Sequence, residues 1–229
     1  MNNDNLIKDI VIVGDGEFAD IACDYFTNDS EFNVIGFAVE KDFYTQKTFN
    51  DRPVTYLEDI EDNFPQSKFM VFVAITSTKL NRVRRRIYLY IKSKGYKFAS
   101  YVSSHAFLSK SAKIGENTFI FEGNVVQSNV IVGNNCIIWS GNHIGHRTEI
   151  KNNVFISSHA VISGYCIIED NCFIGVNSTF ADNVVVKIDC IIGAGAIILK
   201  DTEKNSIYPS IPTAPSKLKS LQFYKIKDE

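Results

Sequence analysis

Residues 144–168 read Ile144-Gly-His-Arg-Thr-Glu-Ile150-Lys-Asn-Asn-Val-Phe-Ile156-Ser-Ser-His-Ala-Val-Ile162-Ser-Gly-Tyr-Cys-Ile-Ile168, with isoleucine at every sixth place. An α-helix cannot keep that period on one face, because six residues turn it through about 600°, roughly 240° out of phase. A short strand closed by a turn, repeated every six residues, can. Outward from this stretch the column runs from Val102 to Ile198 without a break in register, seventeen bulky apolar residues in succession. Four residues after each member a second column begins at Ala106 and ends at Ala196; its members are small or medium and none is charged. Three strands closing a triangular coil take about 18 residues, which predicts between five and six coils stacked at about 4.8 Å, the usual strand separation. Gly115, Gly133, Gly145, Gly175 and Gly193 directly follow column members, and we assign them to turns that need glycine's conformational freedom. Cys136, Cys166, Cys172 and Cys190 fall in the small column and read as core residues rather than as nucleophiles.

Upstream the period changes. β-rich runs at 10–13, 34–39 and 69–75 alternate with helical patterns at 18–26 and 80–94, and a further β-like run follows at 97–101. In the second helix Leu80, Val83, Ile87 and Ile91 recur at three- and four-residue spacing, and Gly95 supplies a stop. The chain therefore divides into a small Rossmann-like α/β domain with a parallel sheet over 1–100, a β-helix over 101–200 and a tail over 201–229. Arg82, Arg84, Arg85 and Arg86 lie largely between the apolar positions, which assigns them to a solvated helix face, with phosphate binding as the other reading. Gly14-Asp15-Gly16-Glu17-Phe18-Ala19 follows the first strand and opens a helix, the context in which a GxGxxA pattern cradles a phosphate. About 100 residues hold only one of the two halves of a dinucleotide site, so a nucleoside diphosphate sugar suits this domain better than NAD. Glu40, just after the second strand, stands ready to accept a ribose or base hydrogen bond.

With 229 residues, 45% hydrophobic and 22% charged, the chain can bury an ordinary core. Its formal net charge of -2 gives no reason to expect a nucleic-acid partner. No run approaches the roughly 18 apolar residues of a membrane span, and the polar Met1 to Asn5 stretch does not begin an export signal. Five cysteines without a CxxC pair argue against a disulfide framework and against structural zinc, and fit a reducing cytoplasm.

The six-residue period with its large and small columns resembles the hexapeptide-repeat acyltransferases. The added α/β domain narrows the likeness to the sugar acyltransferases of the sialic acid O-acetyltransferase and bacillosamine N-acetyltransferase group. The stretches that carry it are 139–146, 157–164, 174–177 and 192–201. The resemblance implies a left-handed parallel β-helix, a homotrimer with sites between subunits, acetyl-CoA as co-substrate, no metal, and a nucleotide-linked amino sugar as acceptor. It makes His146 the general base, and His143 a substrate contact. The backbone N–H of Gly164 would meet the thioester carbonyl. Phe155, Val176 and Ala194 would line the acetyl-CoA groove, and Ile75 and Thr76 would join Gly14, Asp15, Gly16, Glu17, Phe18 and Glu40 around the nucleotide. The sequence departs from the family at Arg147, where an acidic partner of the base often stands, and at Phe18, commonly histidine. The tail 207–214 resembles the family's ending but carries Pro209-Ser-Ile-Pro212 in place of Gly-x-Pro-Ala. Three other readings stay open: a sugar O-acetyltransferase, a nucleotide-sugar-binding protein without turnover, and a zinc hydratase using His143, His146 and His159.

Overall fold

The computed structural model describes residues 8–226, so the Met1 to Asn5 stretch lies outside the described residues. The first part runs β1 (Asp9–Val13), α1 (Glu17–Asn28), β2 (Asn33–Val39), β3 (Thr48–Phe49), β4 (Arg52–Tyr56), α2 (Ile60–Asn63), β5 (Met70–Val73) and α3 (Arg82–Ser93). The strands form one sheet in the order β3-β4-β2-β1-β5, parallel except for the β3–β4 hairpin. That hairpin and β4 go beyond the sequence reading. Asn50 and Asp51 turn it, both with positive φ (48° and 58°), the backbone a tight hairpin demands and one that Asn and Asp tolerate. The run at 97–101 contributes only a bridge between Phe98 and Val71 to this sheet. Its last residue, Tyr101, pairs with Phe119 instead.

From Tyr101–Val102 to Ile197–Ile198 the chain forms seventeen two-residue strands, each ending on a member of the six-residue column. Each strand but the last three pairs in parallel with the one 18 residues on, as Val125 with His143 and His143 with Val161. The three resulting sheets are the faces of a left-handed parallel β-helix. A last strand, Ile207–Tyr208, pairs with Ile191–Ile192 and carries one face beyond residue 200. The column is buried from Ile120 to Ile198, and only Val102, Leu108 and Ile114, in the first coil, are partly open. Buried polar members of the small column are paired, most with the neighbouring coil and Ser178 with the Gly175 carbonyl of its own turn. Asn142 Oδ1 accepts the Ala160 N–H at 2.7 Å, and the Thr148 hydroxyl donates to the Ser163 carbonyl at 2.9 Å.

The glycine assignment needs correction. Gly115, Gly133, Gly145, Gly175 and Gly193 do not have positive φ; the left-handed residues sit two places later, at Asn117, Asn135, Arg147, Asn177 and Gly195, with Asn, Asp or Gly at most other turns. Gly133 and Gly145 are required by close approach instead. A Cβ on Gly133 would lie 2.8 Å from the Lys151 carbonyl of the next coil, and one on Gly145 would lie 2.5 Å from the Gly164 nitrogen.

One face of the β-helix packs under the first domain through an aromatic cluster of Phe18, Phe26, Phe72, Tyr101 and Phe119. Tyr101 and Phe119 stack at 4.4 Å. Here Arg84 departs from its assigned solvated face. It is 0% exposed, and its guanidinium donates to the carbonyls of Ile75, Thr76, Asn135 and Val154. Burial pulls its pKa down to about 10. Arg82 pairs with Asp189 of the β-helix at 2.6 Å, while Arg85 and Arg86 are exposed. Two side chains complete the seam: Asn117 Oδ1 accepts the Val73 N–H at 2.7 Å, and Asn81 donates to the Asn171 and Cys172 carbonyls.

Candidate active site

A cavity of about 510 Å³ opens at the carboxyl ends of β1, β2 and β5, and Gly14, Asp15, Gly16, Glu17, Phe18, Glu40, Ile75 and Thr76 all line it. The strand order places it at the crevice between β1 and its two neighbours, where open parallel sheets bind ligands. Gly14 has φ 121°, and a Cβ there would lie 2.9 Å from the Ala74 carbonyl, so only glycine lets the turn enter α1 beside β5. Gly16 caps α1 with extended backbone, leaving the first N–H groups of the helix at the cavity, where such groups can bind an anion. Arg86 holds Glu40 in place, donating to both its oxygens at 2.7 and 2.8 Å. That bond holds the carboxyl below its usual range. Trp139 of the β-helix closes the cavity, stacked on Phe121 at 4.4 Å and 8°. Its buried Nε1–H has no partner. The sequence reading used Trp139 only as part of a motif; its role as a cavity wall follows from the packing of the first domain on the coils.

His146 lies two residues past Ile144, on a corner of the β-helix, and is exposed. Its imidazole covers Gly164, where a Cβ would meet the ring Cε1 at 2.7 Å. The Gly164 N–H, expected to face a thioester carbonyl, donates to Asp182 Oδ1 at 2.8 Å. The Tyr165 ring stands edge-on to the imidazole at 5.1 Å. Arg147, where the resemblance leads us to expect an acid, lies over Tyr165 at 5.9 Å. The partner of the histidine is Gln127, from one coil earlier. Its Oε1 accepts the His146 backbone N–H at 2.9 Å and lies 3.4 Å from Nδ1. No sequence motif pointed to this residue.

The remaining expected residues do not gather around His146 within one chain. His143 points out from the middle of the exposed face, between Val125 and Val161. Val176 and Ala194 are exposed on the corner that precedes this face, the corner that also carries Trp139, whereas His146 and Gly164 occupy the corner that follows it. Phe155 is 7% exposed and stacks on Phe173 at 5.3 Å, on the face under the first domain. His159 lies over Gly141 on the preceding corner. Among the described residues no group of three or more His, Cys, Asp or Glu is arranged to hold a metal ion.

No curated protein sequence matches the chain. Residues 111–146 match the family model described as Bacterial transferase hexapeptide (six repeats). Among solved structures, the acetyltransferase domain of PglB from Neisseria gonorrhoeae FA1090 aligns with a TM-score of 0.79 at 23% identity, over 91% of this chain and 100% of that one. A variant of perosamine N-acetyltransferase from Caulobacter crescentus, in complex with CoA and GDP-perosamine, aligns with a TM-score of 0.78 at 20% identity, over 90% and 95%. WeeI from Acinetobacter baumannii AYE gives 0.74 at 20% identity, over 86% and 94%. Along nearly its whole length this chain therefore has the fold of these proteins, an α/β domain joined to a left-handed hexapeptide-repeat β-helix.

Proposed function

We propose that the protein is an acetyl-CoA-dependent N-acetyltransferase acting on a nucleotide-linked amino sugar of the 4-amino-4,6-dideoxy type. The observation that carries the reading is the cavity whose wall joins the glycine turn of the first domain to Trp139 of the β-helix. It has the site for a phosphate at one end and the β-helix corner at the other, which suits a ligand with a nucleotide head and a reacting sugar. The alignment with a perosamine N-acetyltransferase holding CoA and GDP-perosamine supports the same substrate class.

The reaction is direct. The sugar amine attacks the thioester carbonyl, a C–N bond forms and the C–S bond breaks. His146 takes the amine proton and passes it to the departing CoA sulfur. The Gly164 N–H stabilises the oxyanion, which requires it to exchange its bond to Asp182 for one to the substrate. The placement of residues supports a homotrimer. The face bearing Phe107, Val125, Val161 and Ile197, with His143 and Thr179 in the same row, is exposed and mostly apolar, and it separates the Val176 and Ala194 corner from the His146 corner. Packing that face against a neighbour brings the two kinds of corner together, with acetyl-CoA between subunits and the sugar of one chain presented to the other's His146.

The test is free-thiol release from acetyl-CoA with mass detection of product, over dTDP-, UDP- and GDP-linked 4-amino-6-deoxy sugars and free sialic acid. We expect turnover of one amino sugar, reduced at least about a hundredfold in His146→Ala. Turnover of sialic acid alone moves the assignment to O-acetylation, and nucleotide binding without any turnover leaves a binding protein.

A further inference from the structure

We propose that Gln127 is the positioning residue of His146, holding its imidazole in the Nδ1–H tautomer so that the Nε2 lone pair faces the substrate amine. This rests on the reading of His146 as the base. The argument begins with the amide of Gln127. Only its oxygen can accept a hydrogen bond, and the His146 backbone N–H, 2.9 Å away, fixes that oxygen toward the histidine. The same oxygen lies 3.4 Å from Nδ1. An oxygen there attracts the ring only if Nδ1 carries the proton; a lone pair on Nδ1 would face a lone pair on Oε1. The bond made by one ring nitrogen thus sets the state of the other, and Nε2 is left free to accept a proton.

The surroundings exclude the usual arrangement. Among the described residues no carboxylate is hydrogen-bonded to the ring, the Asp182 carboxylate being turned to the Gly164 N–H. The side chain that follows the base is a cation, Arg147, engaged with the Tyr165 ring. Tyr165 and the bare Cα of Gly164 fix the ring plane from two sides, but neither offers a partner to a ring nitrogen. Gln127 is half-buried one coil away, so a neutral amide supplies the orientation that the family draws from an acid at the position of Arg147.

The test uses nitrogen-15 NMR of the imidazoles in the full chain, with the neutral ring of His146 assigned by its loss in His146→Ala. With four histidines in the sequence the spectrum is resolvable. We expect the Nδ1–H tautomer in the wild type and in Gln127→Glu, which keeps an acceptor, and the ordinary Nε2–H tautomer in Gln127→Leu. In the thiol-release assay Gln127→Leu should lower kcat about tenfold to a hundredfold with KM changed less than about twofold, and Gln127→Glu should restore kcat. An Nε2–H ring in the wild type, or an unchanged kcat in Gln127→Leu, overturns the proposal. Full turnover in His146→Ala removes the base itself, and this proposal with it, whatever the tautomer.

Discussion

Arg84 carries a charge into an enclosed seam where it meets four backbone carbonyls and no carboxylate. Two of those carbonyls, from Ile75 and Thr76, belong to residues of the cavity wall, and two belong to the β-helix. Truncation removes a donor from all four: the Val154 carbonyl keeps the Ile137 N–H, while those of Asn135, Ile75 and Thr76 lose their side-chain partner, a carbonyl left buried and unpaired costing about 1–3 kcal/mol. We therefore expect Arg84→Met to lower stability by at least about 3 kcal/mol in denaturant titration, and to weaken nucleotide binding, read by calorimetry, about tenfold or more. The position was legible in the sequence: Arg84 precedes Ile87 and Ile91 by three and seven residues, on the face that α3 buries. Treating arginine as a surface residue overrode the period. Gln127 was not legible, because its partner stands 19 residues along the chain and becomes a neighbour only when the coils stack. His146 was singled out by resemblance, since an exposed turn histidine has no signature of its own.

Among the elements, the six-residue period determined the strands and faces of the β-helix, and its second column determined the corners. The turn chemistry was also present, as Asn, Asp or Gly three places after most column members, but attention to glycine alone displaced it by two residues. Element junctions were harder to read because they join distant segments. Asp29, the C-terminal cap of α1, accepts bonds from the Tyr101 and Ser103 hydroxyls and from the Ser104 N–H at the start of the β-helix. Bonds from Ser104, then Tyr101, lower its pKa from 3.8 to about 2. A carboxylate with a lowered folded pKa stabilises the fold above its unfolded pKa, and that contribution disappears as pH falls through the folded value. Thermal unfolding should show the wild type losing Tm more steeply than Asp29→Asn between pH 4 and pH 2, with the variant less stable at neutral pH. Parallel curves would show that this tie contributes nothing.

At the scale of the whole molecule, the exposed face between the two corners bears on the proposed assembly. Phe107 is 61% exposed and Ile197 67%, and strands between them present Val125 and Val161 in the same row. His143 and Thr179 stand in the same row, and a mostly apolar exposed row of this kind fits a subunit interface. Val161→Glu places a charge in its middle, and should convert a trimer to monomers in sedimentation while leaving the circular dichroism of the fold intact. Turnover should fall with the trimer, because the residues assigned to acetyl-CoA and those assigned to proton transfer lie on opposite sides of that face. An unchanged sedimentation coefficient would place the subunit contact elsewhere. The sequence held this row as an 18-residue repeat, but which of the three faces is covered depends on where the first domain folds back.

The protein has a single tryptophan, and Trp139 stands where the first domain, the cavity and the β-helix meet. Its indole is held flat on Phe121 with a buried, unpartnered N–H. All the tryptophan fluorescence of the molecule therefore originates at the wall of the cavity proposed to take the nucleotide. Emission intensity reports occupancy of that cavity without any label, so an unknown nucleotide can be sought by optical titration before its acetylated product is known.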